Sequence, residues 1–251
     1  MWSFVYDIFH LVEIAIVPGD LDRMPILPQL NLQLSVETIL KNEGIDFQVA
    51  RTKNPMLVSI AERALRAGEP LLEPVVAYRR LRIKSLKHEQ VFLEDNGLLS
   101  GKLIAQHLAP ARQAVAMIAT IGRELESYAS AVMVQDPAYG FALDALGTAA
   151  VEALTVSARC YFRELVSDEG MHTTIPISPG MDGWSTERGQ AQIFSLVEPK
   201  EAGVALTSSG MMVPQKSLAF VIGLGEEVEN GGRICDYCSM RWSCRYQDQY
   251  A

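Results

Sequence analysis

Three of the four cysteines fall in one decapeptide, Cys235-Asp236-Tyr237-Cys238-Ser239-Met240-Arg241-Trp242-Ser243-Cys244, which follows Gly231-Gly232. A C-x2-C-x5-C spacing lets three thiolates converge on one centre, and a reducing compartment has little use for disulfides, so the pattern predicts a metal or cluster site at Cys235, Cys238 and Cys244. Redox-active thiols are the lesser alternative. Three thiolates leave one coordination position open. A [4Fe–4S] cluster can take its fourth ligand from another residue or an exogenous group, whereas structural zinc must be closed by a protein side chain, for which Cys160 and His172 are the candidates. Cys160 lies beside Tyr161 and Phe162 in an apolar helical pattern, where cysteine ordinarily serves as a small buried hydrophobe. Arg241 and Arg245 flank the thiolates and would offset part of a cluster's charge, and Trp242 and Tyr246 are expected to shield the centre or pack on the domain.

Other chemistry-bearing residues are less organised. None of His10, His88, His107 and His172 stands at helical i, i+4 spacing from another histidine or in a nucleophile motif. Gly223-Leu224-Gly225 follows a strand pattern, but Glu226-Glu227-Val228-Glu229 comes next and would repel a phosphate. Asp144 and Glu152 lie two turns apart on one predicted helix, where solvation or a capping contact is the expected role. The segment Ser208-Ser209-Gly210-Met211-Met212 reads as a loop whose methionines are either buried or offered to a partner.

The elements that must position these residues read as mixed α+β. Ser35 opens a helix with Thr38 where a capping box has Glu or Gln, so half a box is expected, and Gly44 follows as a stop. A second helix is predicted over 55–67, with Gly68 just past its end. Val91-Phe92-Leu93 reads as a strand, Asp95-Asn96-Gly97 as a turn, 102–108 as a short helix, and the apolar run 114–121 as a buried strand. A helical pattern runs from Arg123 to Val134, and Asp136-Pro137 opens the longest helix, ending near Val166. Leu143, Leu146, Ala150 and Leu154 share one face of it, as in a helix packed on a sheet. A short helix over 191–197 and a strand over 218–224 follow, with a second strand before a loop over 208–216. The fold class is α+β, an antiparallel sheet flanked by helices.

Composition narrows the function classes. Formal net charge is −8, and the one basic cluster, Arg79, Arg80, Arg82, Lys84 and Lys87, interleaves with Leu81, Ile83 and Leu86 as on a half-buried strand. No nucleic-acid footprint is present. No run of about 18 consecutive apolar residues predicts a membrane span, and Met1-Trp2-Ser3-Phe4 lacks the cationic start of an export signal, so the expected location is the cytoplasm.

Several segments in order carry a resemblance: Leu72-Glu73-Pro74, Thr120-Ile121-Gly122, Leu143-Asp144-x-Leu146-Gly147, Ile177-Ser178-Pro179-Gly180-Met181, Gln192-Ile193-Phe194-Ser195-Leu196, Gly203-Val204-Ala205-Leu206-Thr207 and Met212-Val213-Pro214-Gln215-Lys216-Ser217. Together they resemble the activation domain of cobalamin-dependent methionine synthase across residues 73–225. The resemblance implies a twisted antiparallel sheet flanked by helices. It divides the chain into an N-terminal α/β extension (1–72) packed on the main domain, an activation-domain-like core (73–228) and a Cys-rich tail (229–251).

In that family the domain binds S-adenosylmethionine in a shallow groove and docks on a cobalamin domain, so that cob(II)alamin is reduced and remethylated. The ligand is gripped through an Arg-x-x-x-Gly-Tyr arrangement. Here the Arg position is Pro176 and the Tyr position is Met181. Loss of a charge-assisted contact worth about 1.5–3 kcal/mol, with a hydroxyl lost besides, weakens binding by about one to three powers of ten. S-adenosylmethionine is therefore a doubtful cofactor, and Pro179, Gly180 and Met181 are carried over only as a binding loop in which Gly180 permits close approach.

The implied partner is a corrinoid-binding protein or a cobalamin-dependent methyltransferase. Reducing cob(II)alamin takes a low-potential electron, and iron–sulfur clusters reach about −700 mV at their lower limit, which favours iron–sulfur over zinc in the tail. With no cobalamin-binding Asp-x-His-x-x-Gly motif in the sequence, the resemblance implies a redox accessory. The alternative is a non-catalytic corrinoid-protein binding module or chaperone with structural zinc.

Overall fold

The computed structural model describes residues 26–27, 30–229, 232–237 and 242–243. Three helices come first: α1 (Val36–Asn42), α2 (Phe47–Lys53) and α3 (Pro55–Gly68). The capping box at α1 is complete, not half made. Thr38 N–H donates to Ser35 Oγ, and the Ser35 N–H donates to Thr38 Oγ1 at 3.0 Å, so a threonine hydroxyl does the work usually given to Glu. Helix α2 has no counterpart in the sequence reading; it is about two turns long, capped by Asp46, with Ala50 its buried residue. Gly68 belongs to α3 and does not follow it, because a Cβ there would fall 2.4 Å from Leu146 Cδ2, and the helices meet too closely for a side chain.

The sheet follows as β1 (Val75–Lys87), β2 (Gln90–Leu93), β3 (Leu98–Ser100), the helix α4 (Lys102–Leu108) and β4 (Gln113–Thr120). Then come α5 (Glu124–Met133), α6 (Pro137–Leu165), β5 (His172–Thr173), α7 (Thr186–Leu196), a hairpin of β6 (Ala205–Leu206) and β7 (Met212–Val213), and β8 (Ser217–Gly225). The six-stranded sheet has the order β3-β2-β1-β4-β8-β5 and every pairing in it is antiparallel. Helix α7 is longer than the predicted 191–197, since its first turn, Thr186 to Arg188, is exposed and carries no apolar signal. The predicted loop over 208–216 contains β7, which pairs Leu206 with Met212 and Ala205 with Val213.

Both faces of this sheet are covered, so β4 reads as a continuous apolar run although it is antiparallel. Val115, Met117 and Ala119 with Phe220, Ile222 and Leu224 face a core built with α1, α3, α5 and α6. Ala114, Ala116 and Ile118 with Ala219 and Val221 face a second core shared with α4, α7 and β3. Strand alternation thus sends the larger side chains of β8 toward α6. By length and composition α6 could cross a membrane, but 61% of its apolar window is buried inside the fold, and it is the central core helix of the first layer.

The basic cluster lies on β1 as expected, and its first two guanidiniums are paired: Arg79 with Asp95 at 2.8 Å and Arg80 with Glu169 at 3.3 Å. Several segments quoted for the resemblance meet in space. Glu73 N–H donates to Ile121 O, joining Leu72-Glu73-Pro74 to the Thr120-Ile121-Gly122 turn. Lys216 Nζ reaches Asp144 Oδ1 and Thr148 Oγ1, both at 2.9 Å, lying along Gly147. Asp144 is therefore neither a cap nor merely solvated: it ties Lys216, the residue before β8, to α6.

Candidate functional site

The segment 172–177 runs along the free edge of β8, with Thr173 opposite Leu224 and Ile177 exchanging both backbone hydrogen bonds with Val221. It delivers the chain to Ser178-Pro179-Gly180-Met181, which turns back at once. Gly180 N–H donates to Trp184 O at 2.8 Å, Met181 N–H to Ser178 O at 3.3 Å, and Trp184 N–H to Met181 O at 3.0 Å. The backbone donors of Gly180 and Met181 are consequently spent inside the loop. Gly180 itself is exposed with φ +101°, and a side chain there would meet Thr186 Oγ1 at 2.9 Å.

Two anchors hold the loop. Trp184 is 1% exposed and packs in the second core, and its Nε1–H donates to Gln192 Oε1 at 3.3 Å. Gln192 in turn accepts from Ser100 N–H and donates to Ser100 Oγ, tying the loop to β3. The second anchor is Gly189, where a Cβ would come within 2.8 Å of Pro179 Cβ and Cγ and of Trp184 Cε2. Pro179 thus sits directly on the backbone of α7. On the neighbouring element, the 207–211 turn is closed by Thr207: its N–H donates to Met211 O and its Oγ1 accepts from Met211 N–H. Met212 is half-buried against the second core and Met211 is 55% exposed.

The residues of the expected S-adenosylmethionine grip do not reassemble one. Pro176 is buried and has no donor to offer, and Met181 packs half-buried against the second core. What the loop exposes is the Gly180 backbone, followed by Asp182 and Gly183, while Pro179 and Met181 are half-buried. His107, to which no sequence pattern assigns a role, buttresses this side: its Nε2 lies 2.9 Å from Ile175 O, and burial pushes its imidazole below the usual range. Gln190, beside Gly189 on α7, was not singled out by any sequence signal. It is 9% exposed, and its Oε1 is buried with no hydrogen-bond donor among the described residues.

Of the predicted metal ligands, Cys235 is buried in a short 3-10 turn, Ile234–Tyr237, where Arg233 N–H donates to Asp236 Oδ2. Cys238 and Cys244 lie outside the described residues, as do Arg241, Arg245 and Tyr246. Among the described residues no three His, Cys, Asp or Glu side chains are grouped to hold a metal. Trp242 is 85% exposed. Cys160 is half-buried, with Arg163 Nη2 at 3.7 Å from its sulfur, and is less enclosed than its apolar pattern suggested.

Comparison with known proteins bears on the fold. No protein-family profile matches the chain, and no curated protein matches it. Among solved structures the chain is similar to the MetH reactivation domain, in a crystal structure with AdoHcy bound: TM-score 0.58, 16% identity, over 86% of this chain and 84% of that one. The α+β fold expected from the quoted segments is the fold of that domain.

Proposed function

We propose that this chain is an accessory protein of a cobalamin-dependent methyl-transfer system, which binds a corrinoid-bearing protein and assists its reductive reactivation. The observation that carries this reading is the fold likeness to the MetH reactivation domain over 86% of the chain. In this reading the Pro179-Gly180-Met181 loop, with Gly180 exposed, and the 207–211 turn make the docking edge, and the work takes place in the cytoplasm, where thiolates stay reduced. Pro176 and Met181 argue for an electron-delivering role over gripping S-adenosylmethionine. Cys235, Cys238 and Cys244 would hold an iron–sulfur cluster, which when bound supplies an electron at low potential. Burial of Cys235 supports a site shielded on the domain side.

Iron, sulfide and zinc analysis of protein purified without oxygen tests the assignment, with the Cys235→Ala, Cys238→Ala, Cys244→Ala triple variant as control. About four iron and four sulfide per chain, lost in the variant, is the expected result for a cubane cluster. About one zinc per chain would instead favour a corrinoid-protein binding module with a structural metal, a reading that the absence of an Arg and a Tyr at 176 and 181 also favours.

A further inference from the structure

A surface cleft of about 330 Å³ lies between the β1–β2 hairpin and α4. Helix α4 turns one stripe toward it: Lys102, Ala105, Gln106 and, at the helix end, Ala109, the i, i+3, i+4 and i+7 positions of a single face. The hairpin supplies Leu86, and it does so through a bulge. Strand β1 pairs Ile83 with Leu93 but Ser85 with Phe92, so Lys84 is the extra residue and side-chain alternation shifts by one. Leu86 is thereby set opposite the buried Val91, on the face of the second core, and becomes the 36% exposed apolar wall of the cleft. The turn of the hairpin is tight, with His88 at φ +54°, and Gly101 N–H donates to Glu89 O at 2.8 Å, which ties the turn to the start of α4.

Two opposite charges border this apolar floor without meeting. Lys102 and Glu89 both line the cleft and both are exposed, yet among the described residues neither is paired with the other or with any other side chain. Farther back on β1, by contrast, Arg79 and Arg80 are taken by Asp95 and Glu169. A ligand with one charge would satisfy Lys102 or Glu89 and be repelled by the other, whereas a zwitterion satisfies both. The Gln106 amide stands on the same rim as a further neutral partner. Leu86, Ala105 and Ala109 offer an apolar side chain a floor, and the volume, at the lower end for small-molecule sites, suits a single amino acid.

We propose that this cleft binds a free α-amino acid with an aliphatic side chain, its carboxylate on Lys102 and its ammonium on Glu89. Such a site needs nothing from the corrinoid reading.

The test titrates the full chain, followed by amide NMR shifts, with leucine, with leucinamide, which lacks the carboxylate, and with N-acetylleucine, which lacks the ammonium. Leucine is expected to move the amides of Leu86, Glu89, Ala105 and Gln106, and to bind roughly five- to tenfold more tightly than either derivative. Lys102→Met and Glu89→Gln change exposed side chains and should melt with the wild type. Lys102→Met should weaken leucine and N-acetylleucine while leaving leucinamide unchanged; Glu89→Gln should weaken leucine and leucinamide while leaving N-acetylleucine unchanged. Leucine that moves none of these amides at millimolar concentration overturns the site, and so do derivatives that bind as tightly as leucine. Variants that weaken all three ligands alike, or none, overturn the assignment of the two charges.

Discussion

Replacing Gly189 with alanine tests whether α7 carries the Pro179 loop. The new methyl would stand 2.8 Å from Pro179 Cβ, Pro179 Cγ and Trp184 Cε2. None of these atoms can swing aside, since two belong to a proline ring and the third to an indole that is 1% exposed. Carbon contacts are optimal near 3.5–4.0 Å, so loop and helix must part by about 0.7 Å or more. Overpacking of this kind costs about 1–3 kcal/mol. Against it, alanine in place of glycine inside a helix recovers about 1 kcal/mol. The net expectation is a loss of about 1 kcal/mol, or roughly 2–4 °C in Tm for a chain of this size. Urea unfolding followed by far-UV circular dichroism reads the sign directly. A variant more stable than wild type by about 1 kcal/mol would mean that helix propensity acts alone, and the seating of Pro179 on α7 would be refuted.

Three further outcomes follow from contacts elsewhere. Burial holds the His107 imidazole below its usual range, and Arg159 acts in the same direction against the hydrogen bond to Ile175 O. The unfolded chain therefore takes up this proton first, so the contribution is full above about pH 6.5 and is lost as pH falls through the lower folded value; His107→Gln should flatten that part of a stability–pH curve. Lys216→Met removes the contacts to Asp144 and Thr148, and because Asp144 is 54% exposed the expected loss is only about 1 kcal/mol, measured by urea unfolding. Ser35→Ala should cost about 1 kcal/mol at the start of α1, and Thr38→Val a comparable amount, since it removes both the bond from Ser35 N–H and the Thr38 hydroxyl's own bond to Ser35 O; equal stability of both variants with wild type would mean that α1 does not depend on its cap.

The long elements were legible because their patterns are long. Helix α6 announces itself through Asp136-Pro137 and the Leu143, Leu146, Ala150, Leu154 stripe, and β4 and β8 through unbroken apolar runs that both faces of the sheet require. Helix α2 was not legible: seven residues with Ala50 as the buried one give periodicity nothing to count. The first turn of α7 escaped for a similar reason, as its exposed Thr186, Glu187 and Arg188 look like loop. At the site, the order of the segments pointed to the Pro179-Gly180-Met181 loop, but not to what it rests on. Gly189 matters through a close approach that only coordinates reveal, and a glutamine in a helix reads as solvent-facing until the turn at Gly210 is folded over it. The Met pair divides at the start of β7, Met211 exposed in the turn before it and Met212, the strand's first residue, half-buried.

The central claim is that this chain delivers an electron to a cob(II) corrinoid. The direct measurement mixes the reduced full chain, without oxygen, with cob(II)alamin and methyl iodide. One electron gives cob(I)alamin, which attacks the methyl carbon and expels iodide, so methylcobalamin accumulates. The account predicts methylcobalamin formation that rises with the amount of reduced wild-type chain and disappears with the triple cysteine variant. Methylcobalamin formed no faster than in the absence of the chain, with a loaded cluster demonstrated by iron and sulfide analysis, would contradict it.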